Sequence, residues 1–218
     1  MLTINLPVLV LAWMGLFHLL HALLAPTHRL TKLASNLTSL SHAVITTLGS
    51  AWLLHQPPSM SGTQTLITIS SSYFIYDIYY MLRYHFSRMY IVHHLTTLAI
   101  WNLCVWYQCG NTLLLGTLFI GEYTNILRLG WQLTEEFKIT PLNEWLDLGF
   151  KYNFLLARCI LAPVHLIYHL PLIINLPMPP AFIILLLGSG VTLLVGSWVW
   201  AQQIITGLFK PTAREADI

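Results

Sequence analysis

Seven apolar runs, each near twenty residues long, follow one another with short polar breaks, and nothing else in the chain constrains its fold as much. A hydrocarbon core about 30 Å thick is crossed by roughly 20 helical residues. The runs are Leu2–Leu24, Ala34–Leu54, Thr65–Arg83, Met89–Tyr107, Thr112–Trp131, Trp145–Leu170 and Ala181–Ile205. In lipid, a spanning segment must satisfy its own backbone, which leaves helices and closed barrels. A barrel is excluded because the runs are too long and lack strict apolar/polar alternation. The expectation is an all-α, polytopic transmembrane bundle of about seven spans. The chain is 56% hydrophobic and 8% charged, where a soluble domain carries about 25% charged residues. A net charge of +2 is too small to argue for nucleic acid. Cys104, Cys109 and Cys159 form neither a disulfide framework nor a zinc spacing and read as small apolar residues. The first run has no basic segment before it, so it reads as a retained span rather than a cleaved signal.

The gaps between runs alternate in charge. The first holds His28, Arg29 and Lys32, the third Arg83 and Arg88, the fifth Lys138 with Arg128 close by, and the tail Lys210 and Arg214. The second (His55–Gln64), fourth (Gln108–Asn111) and sixth (Pro171–Pro180) hold neither Lys nor Arg. By the positive-inside rule this pattern predicts a lumenal or external N-terminus and a cytoplasmic C-terminus. It puts the Asn36-Leu-Thr38 sequon at the cytoplasmic face, where it stays unglycosylated. The largest predicted loop, Gln132–Glu144, is acidic and lies at the surface. No dinucleotide or phosphate-loop motif and no soluble catalytic domain is present, so any activity sits among the helices.

Ionisable residues within the spans are functional candidates by default. At about 1.5 Å per residue, His93 lies roughly 7 Å inward from Arg88, and Asp77 and Glu122 about 9 Å inward from Arg83 and Arg128. With His42 and His94 they form one polar layer drawn from four helices, in the predicted cytoplasmic half. His93 and Thr97 are four apart and share a helix face, whereas His94 points about 100° away. Glu122, Asn125 and Arg128 form a drifting polar stripe. Asp147, Lys151 and Arg158 share a face of the sixth helix, with Asp147 and Lys151 spaced to pair. Plainer readings stand beside these. Asp77, among Tyr73, Tyr76, Tyr79 and Tyr80, can serve as a packing contact. Arg158 and Glu122 can form a structural ion pair. His18, His21, His165 and His169 sit near helix ends and read as structural. Adjacent histidines do not easily ligate one ion from a straight helix, and no i,i+4 partner joins His93 or His94, so no metal is expected.

Five pieces in order carry a family resemblance: Ser39-Leu-Ser-His42, Ser72-Tyr-Phe-Ile-Tyr-Asp77, His93-His94-Leu-Thr-Thr97, Gly121-Glu-Tyr-Thr-Asn125 with Arg128, and Phe154 to Arg158. Together they resemble the TLC (TRAM-LAG1-CLN8) domain family, in particular its smaller TLC-domain-containing branch. The resemblance implies one extra helix and basic cytoplasmic loop (1–33), a six-span TLC domain (34–206) and a short cytoplasmic tail (207–218). It also implies an endoplasmic reticulum or other endomembrane and a role in lipid synthesis, transport or sensing. The family's best-known enzymes, the ceramide synthases, acylate a sphingoid base from acyl-CoA and use paired histidines, whose place His93 and His94 take here. Their signature continues with His-Asp and Ser-Asp pairs. This chain has Leu127-Arg-Leu-Gly-Trp131 and Gln132-Leu-Thr-Glu-Glu136 instead.

Two functions follow from the residues and the resemblance. In the first, the protein binds or modifies a membrane lipid at the polar layer, with His42, Thr97, Glu122, Asn125, Arg128 and Arg158 as lipid-binding residues. In the alternative, it is an acyl-CoA-dependent lipid acyltransferase. His93 or His94 is then the general base, Asp77 or Glu122 orients the imidazole, and Arg83, Arg88 and Arg128 meet the donor's phosphates. Membrane lipids are the expected partners on either reading. No bound cofactor is expected, and acyl-CoA is a co-substrate on the second.

Overall fold

The computed structural model describes residues 5–24, 28–57, 59–83, 88–176 and 178–209. The tail with Lys210 and Arg214 lies outside the described residues, as do the side chains of His28, Arg29, Lys32 and Arg88. The elements are α1 (Leu6–Leu24), α2 (His28–His55), α3 (Met60–Arg83), α4 (Arg88–Trp106), α5 (Asn111–Glu136), α6 (Thr140–Leu155), a π-helical turn (Leu156–Leu161), α7 (Ala162–Ile174) and α8 (Pro180–Phe209). No strand occurs among the described residues. Since α6, the π turn and α7 form one rod, seven rods stand where the sequence predicts seven spans.

Leu6–Leu23, Leu33–His55, Thr140–Ile174 and Pro180–Gly207 are long and apolar enough to cross a membrane on length and composition alone. The other rods, α3, α4 and α5, are long enough at 24, 19 and 26 residues. Their apolarity is diluted by the residues that matter most: Asp77 on α3, His93 and His94 on α4, and Glu122 on α5.

Helices run further than the apolar pattern shows, because helix ends continue into the polar interface where hydropathy gives no signal. The first gap is not a basic loop: His28, Arg29 and Lys32 belong to the first turns of α2. The predicted surface loop Gln132–Glu144 is mostly helix too. Only 137–139 separate α5 from α6. Lys138, at φ 55°, reverses the chain, and Asn143 Nδ2 donates to Trp131 O at 3.1 Å across the turn. Pro171 lies within α7 rather than in a loop. At the α4–α5 turn, Gly110 adopts φ 71°, a left-handed conformation that favours glycine.

Six rods close into a ring. Around it α2 contacts α3, α3 contacts α4, α4 contacts α8, α8 contacts the α6–π–α7 rod, that rod contacts α5, and α5 returns to α2. Helix α1 stands outside the ring against α2 and α3. The α2–α5 contact is the broadest. Helix α2 carries a ladder of small buried residues at i,i+4 spacing, Ala34, Thr38, Thr46 and Ser50, of the kind that lets helix backbones approach closely. Their hydroxyls return to the helix's own carbonyls: Thr38 Oγ1 to Ala34 O (2.9 Å), Thr46 Oγ1 to His42 O (2.7 Å) and Ser50 Oγ to Thr46 O (2.6 Å). These three hydroxyls are thereby satisfied within the helix.

The π turn has an identifiable cause. Pro163 follows it after one residue, lacks an N–H, and would press its ring against the carbonyl of Cys159 in an ideal α-helix. The backbone widens instead, and Ala162 N–H bonds to Ala157 O, five residues back. Arg158 sits within this widened turn.

Candidate functional site

Inside the ring lies a cavity of about 590 Å³. It extends toward the end of the bundle where α2 begins, α3 ends, α4 begins, α5 ends and α8 ends, as its lining residues Asn36, Met81, Tyr90, Gln132 and Gly207 show. Nine residues expected from sequence line it: His42, Asp77, His93, His94, Thr97, Glu122, Asn125, Arg128 and Arg158. Asp147 and Lys151 line it as well and pair at 2.6 Å.

The adjacent histidines have different surroundings because consecutive side chains diverge by about 100°. His94 faces α3. Its Nε2 lies 2.9 Å from Asp77 Oδ2, its ring packs 4.3 Å from that of Phe74, and its Nδ1 is buried without a partner. Asp77 therefore has an imidazole as its partner rather than a tyrosine. Tyr73 donates to Ser39 Oγ at 2.7 Å, and Tyr76 is buried. His93 faces α8, where its ring meets Trp200 edge-on at 5.6 Å, and that ring makes no hydrogen bond among the described residues. Thr97 is buried on the His93 face, as the i,i+4 spacing predicts, with its hydroxyl bonded to His93 O at 2.9 Å.

A second polar group is built on α2, α3 and α5. His42 is buried, stacks on Tyr73 (3.9 Å between ring centres, 10° between planes) and bonds through Nε2 to Ser70 Oγ at 2.9 Å. Its Nδ1 is 3.7 Å from Glu122 Oε2. Glu122 accepts from Asn125 Nδ2 at 3.1 Å, and Asn125 Oδ1 accepts from Arg128 Nε at 3.3 Å. The stripe on α5 is thus a connected relay.

Arg158 departs from expectation. It does not pair with Glu122, and no carboxylate lies within ion-pair distance of it among the described residues. Its Nη2 donates to the carbonyl of Gly121 at 3.0 Å, and its guanidinium lies 5.7 Å from the centre of the Phe154 ring. Arg83 also departs. It lines a separate cleft of about 230 Å³ between α1 and α3, with Phe17, His18 and Tyr76, and does not reach the main cavity. His165 and His169, read from sequence as structural, both meet backbone carbonyls. His165 Nε2 meets Leu113 O at 3.1 Å and His169 Nδ1 meets His165 O at 2.9 Å. No group of three metal-ligating side chains occurs among the described residues.

Sequence reading missed three contributions. Ser70, Ser71 and Ser72 are buried in mid-helix and receive His42, Asn102 and Trp13 respectively (2.9, 3.4 and 3.0 Å). Three serines in a row within an apolar span were the available signal. Trp200 closes the His93 side from α8 and stacks on Tyr90 at 5.1 Å. Nothing local distinguishes it from an interfacial tryptophan. The π turn has only Pro163 as its local sign.

A ring of membrane-length helices around a polar cavity defines an integral membrane protein whose site lies among its helices. The family model of the TLC domain matches residues 32–206, and the chain belongs to the TLC domain family. Membership makes it a membrane protein related to lipids. No curated protein and no solved structure matches the chain.

Proposed function

We propose that this protein binds a membrane lipid within the ring, its headgroup in the polar layer and its chains against the aromatic and aliphatic wall, and so serves lipid metabolism or homeostasis. One observation carries the reading: nine polar side chains from five rods converge on a single cavity in an otherwise apolar chain. Such groups are costly in hydrocarbon unless partnered or facing a polar ligand or water. About 590 Å³ falls within the usual range of small-molecule sites. Trp101, Leu193, Trp200 and Ile204 supply the apolar wall. The membrane is an endomembrane on this reading, with the cavity opening toward the cytoplasm.

Native mass spectrometry of protein released from mild detergent tests this. The wild type is expected to retain a lipid, and Leu193→Trp, which fills the apolar wall, to lose it. Equal lipid retention by both proteins, or none by the wild type, defeats the reading.

The His94–Asp77 pair favours a second reading, acyl transfer. With Asp77 accepting from Nε2–H, His94 carries its lone pair on Nδ1, the arrangement of an oriented general base. A lipid hydroxyl or amine attacks the thioester carbonyl of acyl-CoA and gives its proton to the imidazole. The new C–O or C–N bond forms, the C–S bond breaks, and the thiolate takes up the proton. Labelled acyl-CoA offered with a panel of hydroxyl and amine lipids is expected to be consumed by wild type. In His93→Ala/His94→Ala it is expected to be consumed about 10²–10⁴-fold more slowly. No transfer by wild type to any acceptor leaves lipid binding as the whole function.

A further inference from the structure

The cavity's charges are partnered unequally. Asp147 is held by Lys151, Asp77 by His94, and Glu122 by Asn125 with His42 beside it. Each carboxylate therefore has a polar side-chain partner. The two arginines have only neutral ones: Arg128 bonds to Asn125 Oδ1 and Arg158 to Gly121 O. A guanidinium offers five N–H groups. Arg158 uses one face of its fork, its Nε is buried without a partner, and no other acceptor reaches it among the described residues.

Arg158 is also held in place. The π turn sets its backbone, the Phe154 ring lies beneath the cation, and the Gly121 carbonyl accepts from its Nη2. Single π turns recur at functional sites in helices. A fixed guanidinium with unused donors, within a membrane-length rod, is a receptor waiting for an acceptor-rich anion, because a buried charged donor left unmet is costly. Planar, forked N–H groups match phosphate oxygens in particular.

Resting on the lipid-binding reading above, we propose that the cavity selects a phosphate-bearing amphiphile, with Arg158 as the principal phosphate receptor, Arg128 as its auxiliary, and the chain lying along the Trp200 wall. Two sources share this chemistry: the headgroup of a phospholipid and the phosphates of an acyl-CoA.

The test uses full-length protein in maltoside micelles, which contain no phosphate, with binding read by tryptophan fluorescence. One arm compares phosphatidate with diacylglycerol of the same chains. The other compares an acyl-CoA with the same acyl group on N-acetylcysteamine. Charge-assisted hydrogen bonds predict a preference of about 10- to 100-fold for the phosphate-bearing member. Preference in the first arm supports a lipid headgroup, and preference in the second an acyl donor. In Arg158→Gln the preference is expected to vanish while diacylglycerol or thioester binding persists. Arg158→Lys, which keeps the charge but not the fork, is expected to keep part of it. A wild type that binds both members of each pair equally overturns the inference and leaves lipid binding standing. Binding of neither member overturns lipid binding as well. A preference undiminished in Arg158→Gln overturns the role of Arg158, and should that variant fail to fold, undiminished preference in Arg158→Lys does the same.

Discussion

Asp77 and His94 are worth more as a pair than as separate residues. Each is partly buried in a span, and the 2.9 Å contact between them satisfies one polar atom on each. Asp77→Leu leaves the imidazole Nε2 without its partner and is expected to lower stability by about 1–3 kcal/mol. Adding His94→Phe removes the stranded group, so the double variant should recover part of the loss. His93→Phe touches no hydrogen bond and is expected to change stability little, whatever it does to function. Thermal unfolding in detergent of these three variants and of His94→Phe alone, which closes the double-mutant cycle with Asp77→Leu, checks this. Equal losses for His93→Phe and Asp77→Leu would show that the histidines do not differ as the structure has them. The doublet was visible in the sequence as a candidate, and so was the 100° divergence. Which histidine faces α3 and which faces α8 was not, because that depends on how α4 is rotated among its neighbours.

Among the elements, the crossing of α5 and α7 leaves no room for a side chain at Gly116. A Cβ added at Gly116 would stand 2.3 Å from His165 Cε1, and the ring is fixed there by its bond to Leu113 O. Gly116→Ala therefore forces the two helices apart, with an expected cost of about 1–3 kcal/mol. Gly116→Ala/His165→Ala should restore most of it by opening the space, and melting curves of both proteins decide the matter. Gly149 and Gly188 have nothing within 4 Å of such a Cβ and serve as neutral comparisons. Helix existence was legible from apolar runs throughout. Helix ends were not: α2, α3, α5 and the α6–π–α7 rod all extend beyond the apolar pattern into polar sequence.

For the whole molecule, orientation in the membrane is the property to measure. The sequon at Asn36 cannot report on it. Asn36 lies within α2 and lines the cavity, and Thr38 is buried with its hydroxyl bonded to Ala34 O. A glycosyltransferase is excluded from it whichever side it faces. Sequons inserted in the connections at 56–59 and at 137–139 do report, since both lie between helices. The charge alternation predicts that the first is glycosylated and the second is not. Glycosylation of the second alone reverses the orientation and turns the cavity mouth toward the lumen.

The sequence by itself determined the helical class, the number of rods and the identity of the polar residues, because a bilayer admits so few backbone solutions and makes every buried charge conspicuous. The tertiary structure alone decided the partners between rods. Arg158 was near enough in depth to pair with Glu122, but rotation of the rod at its π turn points it to the Gly121 carbonyl instead. Arg83 was at the right level for the cavity, but α3 turns it toward α1. Depth along a helix follows from counting residues at a fixed rise. Azimuth follows from packing against every neighbour at once, and no single span encodes it.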